Sequence, residues 1–92
     1  MRIRWTPPAV NDFRAICDYL EIHENPKLAQ RVAQTIFDAA QSLAVFPKKG
    51  RPGREPDTRE LVIQRYPYVL VYHLTPAAVE IWRVLHTSQK FP

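Results

Sequence analysis

Cysteine occurs once in this 92-residue chain, at Cys17, so no intramolecular disulfide can form, which suits a reducing cytoplasm. Glycine occurs twice, which excludes the glycine-rich loops that cradle nucleotide phosphates. No Gly-x-Ser-x-Gly elbow is present. The three histidines, His23, His73 and His86, stand far apart with no cysteine pair near them, so neither a metal site nor a cofactor is expected. No apolar run approaches the roughly 20 residues of a membrane span. The start, Met1-Arg2-Ile3-Arg4-Trp5, lacks the apolar core of a signal peptide, so no membrane partner is expected. The length fits one domain, residues 1–92, with a modest core.

What is abundant lies in the second half. Arg59 to His86 reads as three consecutive strands, built on Leu61–Ile63, Val69–Tyr72 and Val79–Leu85, all rich in β-branched and aromatic residues. Tyr66-Pro67-Tyr68 and Thr75-Pro76-Ala77 separate them, because proline removes a ladder donor and belongs at strand ends. Connections this short favour an antiparallel meander. Strict alternation in the last strand sends Val79, Ile81 and Leu85 to one face and Trp82 and Val84 to the other. With both faces apolar, the sheet is either covered on both sides or keeps one face for a partner.

The first half supplies the cover. Arg2–Trp5 alternates and reads as a short first strand. Thr6 is a cap and Pro7-Pro8 a first turn for a helix running to about Glu21–His23, with Asp12 placed early, where a negative charge suits the helix dipole. Val10, Phe13, Ile16, Cys17 and Leu20 form its stripe, with Cys17 as a small core hydrophobe. Asn25-Pro26 starts a second helix to about Val45, with a stripe of Leu28, Val32, Ile36, Ala39, Leu43 and Phe46. The expected class is α+β: a βααβββ order with a helical hairpin on one face of a small, mainly antiparallel four-stranded sheet.

Charge is unevenly placed. Residues 47–92 carry eight basic and four acidic side chains and hold the whole net charge of +4. Lys48, Lys49, Arg51, Arg54 and Arg65 cluster in the loop 47–58 and the first meander strand, and are the candidates for contacting nucleic acid or an acidic target. His86 closes the last strand, three residues after Arg83, with Gln89 and Lys90 following. A histidine beside arginines suits phosphodiester chemistry: imidazole moves the proton of a ribose 2′-OH, and guanidinium groups stabilise charge on the phosphorus oxygens. Residues three apart face opposite ways in a strand, so Arg83 and His86 share a site only if the strand ends or bulges between them. Arg59 is a third candidate, for phosphate or, structurally, for a carboxylate such as Asp57 or Glu80. Tyr66, Tyr68 and Tyr72 either stack bases or serve the core.

Gly50-Arg51-Pro52-Gly53-Arg54, Thr58–Ile63, Tyr66–Tyr72 and Val79–His86 together resemble the RelE/ParE superfamily of bacterial type II toxins over nearly the whole chain. The resemblance implies a toxin silenced by a cognate antitoxin, whose extended or helical segment would cover the second sheet face. It also implies operator DNA reached only through the toxin–antitoxin complex. RelE-like members cleave mRNA on the ribosome; ParE-like members poison DNA gyrase and have no established nuclease centre. Where ribonuclease members carry lysines and an arginine, this chain has Glu60, Val62 and Val69, and its tail after His86 has neither arginine nor tyrosine. Some ribonuclease members rely instead on a C-terminal histidine, which keeps His86 as a candidate. Arg59-Glu60-Leu61 and Tyr66-Pro67-Tyr68 look more ParE-like. The reading outside this family is a non-catalytic nucleic-acid-binding or protein-interaction module using the basic loop.

Overall fold

Thr6 decides where the first strand stops. Its backbone N–H donates to the Ile81 carbonyl at 3.0 Å, and its Oγ1 donates to that carbonyl and accepts from Ala9 N at 3.3 Å. One residue therefore closes strand β1 (Arg2–Trp5) and caps helix α1 (Pro7–His23), with Pro7-Pro8 in the first turn. Asn25 repeats the device for α2 (Pro26–Ser42), its Oδ1 accepting from Leu28 N at 2.8 Å. The computed structural model describes residues 1–88.

Helix α2 ends at Ser42, three residues before the expected Val45. The amides of Leu43, Ala44 and Val45 reach back only three residues, to Ala40, Gln41 and Ser42, tightening the chain before Pro47. Leu43 still faces inward and is fully buried, whereas Phe46, expected in the same stripe, is 63 % exposed. Val10 is exposed too, and the buried residues of α1 are Ala9 and Leu20, with Phe13 and Ile16 packed half-buried against the core.

The sheet has five strands in the order β1-β5-β4-β3-β2, with β2 (Arg51–Pro52), β3 (Thr58–Val62), β4 (Tyr68–Leu74) and β5 (Ala78–His86). The expected α+β class and helical hairpin hold; the fifth strand is the difference. It comes from the basic loop, where Arg51 and Pro52 pair with Glu60 and Arg59. Two residues framed by glycines carry no β pattern of their own. Strand β3 also starts earlier than expected, at Thr58, and stops before Ile63. Strand β1 runs parallel to β5, and the other pairs are antiparallel.

A bulge resets the face of β5. Val71 pairs with Arg83 and Tyr72 with Ile81, which leaves Trp82 unpaired. The extra residue inverts the parity that strict alternation predicts. Val84 joins Val79 and Ile81 in the main core with Leu70, Tyr72, Ile36 and Leu43. Leu85 crosses to the opposite face and clusters with Val69 and Val71.

Tyr72 is the largest fully buried side chain, and it ties the core to the loop. Its hydroxyl donates to the Pro47 carbonyl at 2.7 Å and accepts from Gly50 N at 2.9 Å. A Cβ at Gly50 would stand 2.8 Å from this ring and from the Glu60 carbonyl, so the loop passes here only as glycine. Burial pushes the Tyr72 phenol upward, against the smaller lowering by the Gly50 hydrogen bond and Arg59. Burial raises Tyr68 as well. Tyr72→Phe strands both loop groups and is expected to cost about 1–3 kcal/mol. With folded phenols held above their ordinary value of about 10, stability is complete below that pH and falls above it, because the unfolded chain releases its protons first. Urea unfolding at about pH 8 and about pH 11 checks this: the alkaline loss should be smaller in Tyr72→Phe than in the wild type.

Candidate functional site

The three catalytic candidates do not converge. Arg59 on β3 turns its guanidinium to the loop, donating to the Gly50 carbonyl at 2.8 Å and the Lys48 carbonyl at 3.4 Å. It binds neither Asp57 nor Glu80; Glu80 is held instead by Arg4 at 3.3 Å and Trp82 Nε1 at 3.4 Å. Arg83 grips Asp12 of α1, with Nε 2.6 Å from Oδ2 and Nη2 3.0 Å from Oδ1. This pairing holds the Arg83 guanidinium charged, above its already high ordinary value.

His86 lies on the other side of the sheet. Its backbone pairs with Tyr68, on the helix-covered face, and its ring meets the Tyr68 ring edge-on at 5.6 Å. The bulge falls at Trp82, before Arg83, so it leaves Arg83 and His86 on opposite faces. His86 lines a cleft of about 400 Å³ with Asp12, Ala15, Ile16, Tyr19, Tyr68 and Val84. Ser88 N donates to His86 Nδ1 at 3.1 Å, and Ser88 Oγ lies 2.7 Å from the same nitrogen. Nδ1 is therefore engaged as an acceptor by the residue two positions on. Gln89 and Lys90, which follow in the sequence, lie outside the described residues.

Asp12 is the residue that local pattern missed. It serves tertiary structure, not the first-turn dipole: it binds Arg83, takes the Val84 amide at 2.9 Å, and so closes the β5 edge beyond the reach of β1. Its partners stand 71 and 72 positions away, and no spacing rule reaches that far.

The basic candidates divide among three places. Arg51 reaches across the short β2 ladder to buried Glu60 at 3.2 Å. Arg54 lines a cleft of about 150 Å³ with Glu55, Thr58, Glu60, Val71, Trp82, Arg83 and Leu85, so a hollow of balanced charge and partly apolar lining sits on the sheet face away from the helices. Arg65, with φ 76°, occupies the exposed turn between β3 and β4. Lys48 and Lys49 stand at the corner between α2 and β2, beside Val45 and Phe46. Among the described residues, no group of three or more metal-ligating side chains forms.

An apolar groove of about 450 Å³ is lined by Trp5, Val10, Phe13, Arg14, Cys17 and Phe37. Trp5 and Phe13 pack edge-to-face at 5.4 Å inside it. Cys17 is thus a half-buried wall of a groove, not the core hydrophobe expected. Burial, and then Asp18 and Glu21, push its thiol upward, which keeps it a poor nucleophile. No described helix is long and apolar enough to cross a membrane.

A family described as "ParE toxin of type II toxin-antitoxin system, parDE" matches residues 3–91. The chain is 42 % identical over 91 residues to the Y4kP protein of Sinorhizobium fredii, covering 99 % of this chain and 93 % of that one. It is 38 % identical over 88 residues to the toxin RelE2 of Caulobacter vibrioides, covering 96 % and 97 %. Among solved structures it is similar to a chain of the chromosomal ParDE system from P. aeruginosa, with a TM-score of 0.84, 26 % identity, and 94 % and 95 % of the two chains covered. It is also similar to a chain of the RelBE2 toxin–antitoxin complex from Mycobacterium tuberculosis, with a TM-score of 0.65, 25 % identity and coverage of 92 % and 95 %.

Proposed function

The chain belongs to the ParE toxin family of type II toxin–antitoxin systems, and from that membership we propose that it arrests growth in the cytoplasm by binding and inhibiting DNA gyrase, and is kept silent by a cognate antitoxin. The observation that carries the target reading is the dispersal of the catalytic candidates. Arg59 is committed to loop carbonyls, Arg83 to Asp12, and His86 stands on the opposite sheet face with Nδ1 engaged by Ser88. A ribonuclease needs a proton acceptor and cations within reach of one phosphate. A toxin that works by binding needs neither.

The antitoxin reading is supported by the apolar groove at Trp5, Phe13 and Phe37, wide enough for side chains of an amphipathic helix. The far sheet face is a weaker dock than its sequence suggests, since Val69, Val71 and Leu85 are already buried.

The test pairs two assays on purified toxin. Gyrase supercoiling should be inhibited, and mRNA on translating ribosomes should stay intact by primer extension. His86→Ala should inhibit gyrase as the wild type does. mRNA cleavage that disappears in His86→Ala would instead make the cleft with Tyr19 and Tyr68 a nuclease centre.

A further inference from the structure

We propose that the corner at Val45–Lys49 is the surface with which this toxin grips its target protein, and that it fits an apolar pocket rimmed by carboxylates; this rests on the reading of the chain as a toxin that acts by binding.

Val45 and Phe46 are consecutive, and they are 71 % and 63 % exposed. Large neighbouring apolar side chains so open to water lose burial energy that the fold does not recover, which marks a contact surface. The backbone around them is pinned. Phe46 N donates to Ser42 O at 3.0 Å, and Lys49 N donates to Phe46 O at 3.1 Å. Tyr72 holds the Pro47 carbonyl and the Gly50 amide, while Arg59 holds the Lys48 and Gly50 carbonyls. One core side chain and one half-buried strand side chain thus fix a loop whose tip is apolar. Such preorganisation lowers the ordering cost of binding and suits an aromatic anchor.

The flanking charge selects the partner. Lys48 and Lys49 are both exposed and share a shallow hollow with Val45, Phe46 and Pro47. They call for an acidic rim around an apolar pocket. A nucleic acid fits less well. Arg51 is bridged to Glu60, Arg59 is turned to backbone, and Arg65 stands at the separate β3–β4 turn, so the cations form no track along the corner.

The test uses Phe46→Ala and Lys48→Glu/Lys49→Glu, compared with the wild type in three readouts. These are growth arrest on induction in a bacterial host, binding to purified DNA gyrase at low and high salt, and thermal melting. Both variants should melt like the wild type, since the altered side chains are exposed. Both should lose growth arrest. Phe46→Ala should bind gyrase at least about 10-fold more weakly, and the lysine variant should lose the salt dependence of binding. Full growth arrest by both folded variants overturns the surface assignment, whatever the target. Lost arrest with a wild type that does not bind gyrase leaves the surface standing and removes gyrase as its target. A wild type that neither arrests growth nor binds gyrase overturns both readings. A wild-type dimer that Phe46→Ala splits makes the corner a self-contact. Binding to a single-stranded DNA oligonucleotide that Phe46→Ala abolishes makes it a nucleic-acid platform. Either of these two results overturns the proposal.

Discussion

Leu43→Ala is expected to destabilise the fold by about 3 kcal/mol, within the 2–5 kcal/mol typical of emptying a buried leucine site. Leu43 is fully buried and packs in the cluster that joins α2 to Val79, Ile81 and Tyr72. It lies one residue past the helix end, where its amide still reaches Ala40. The surrounding groups are fixed from both layers, so little collapse into the cavity is available. For a domain of this size the melting temperature should fall by more than about 10 °C. Phe46→Ala, three residues on, is the internal control: its side chain is mostly in water, and its stability change should stay within about 0.5 kcal/mol. A Leu43→Ala protein that melts with the wild type would refute the packing of the hairpin on the sheet.

Asp12→Ala should have the next largest effect, about 2 kcal/mol, because it breaks three charge-assisted hydrogen bonds at one point. The carboxylate takes two bonds from Arg83 and one from the Val84 amide, and it is the link between α1 and the end of β5. The side chain of Arg83 is 46 % exposed and that of Asp12 18 % exposed, so solvent screens the ion pair and most of the loss comes from the stranded, part-buried Val84 amide. Asp12→Asn keeps an acceptor for that amide and should lose less than half as much. Arg83→Ala should be milder still. A double-mutant cycle between Asp12 and Arg83 in urea should give a coupling of about 0.5–1 kcal/mol. Zero coupling, with Asp12→Ala as stable as the wild type, would remove Asp12 as the clamp on β5.

What local chemistry writes, the sequence by itself determined. Thr6 and Asn25 with their following prolines start the helices, and the β-branched runs between Tyr66-Pro67-Tyr68 and Thr75-Pro76 make the meander. These devices act over a few residues, so they can be read without coordinates, and the segments Gly50–Arg54, Thr58–Ile63, Tyr66–Tyr72 and Val79–His86 in combination carried the likeness to the toxin family. Three things were decided only by the tertiary structure. A single unpaired residue, Trp82, inverted the faces of β5 beyond it, sending Val84 into the main core and Leu85 to the far face, because strand parity counts paired residues and not sequence positions. Pairing with Glu60 and Arg59 turned Arg51-Pro52 into a fifth strand, since a segment that short borrows its order from its neighbour. The arginines taken for a site found partners elsewhere, Arg83 across 71 positions and Arg59 on loop carbonyls, because a charge binds whichever group the fold brings near.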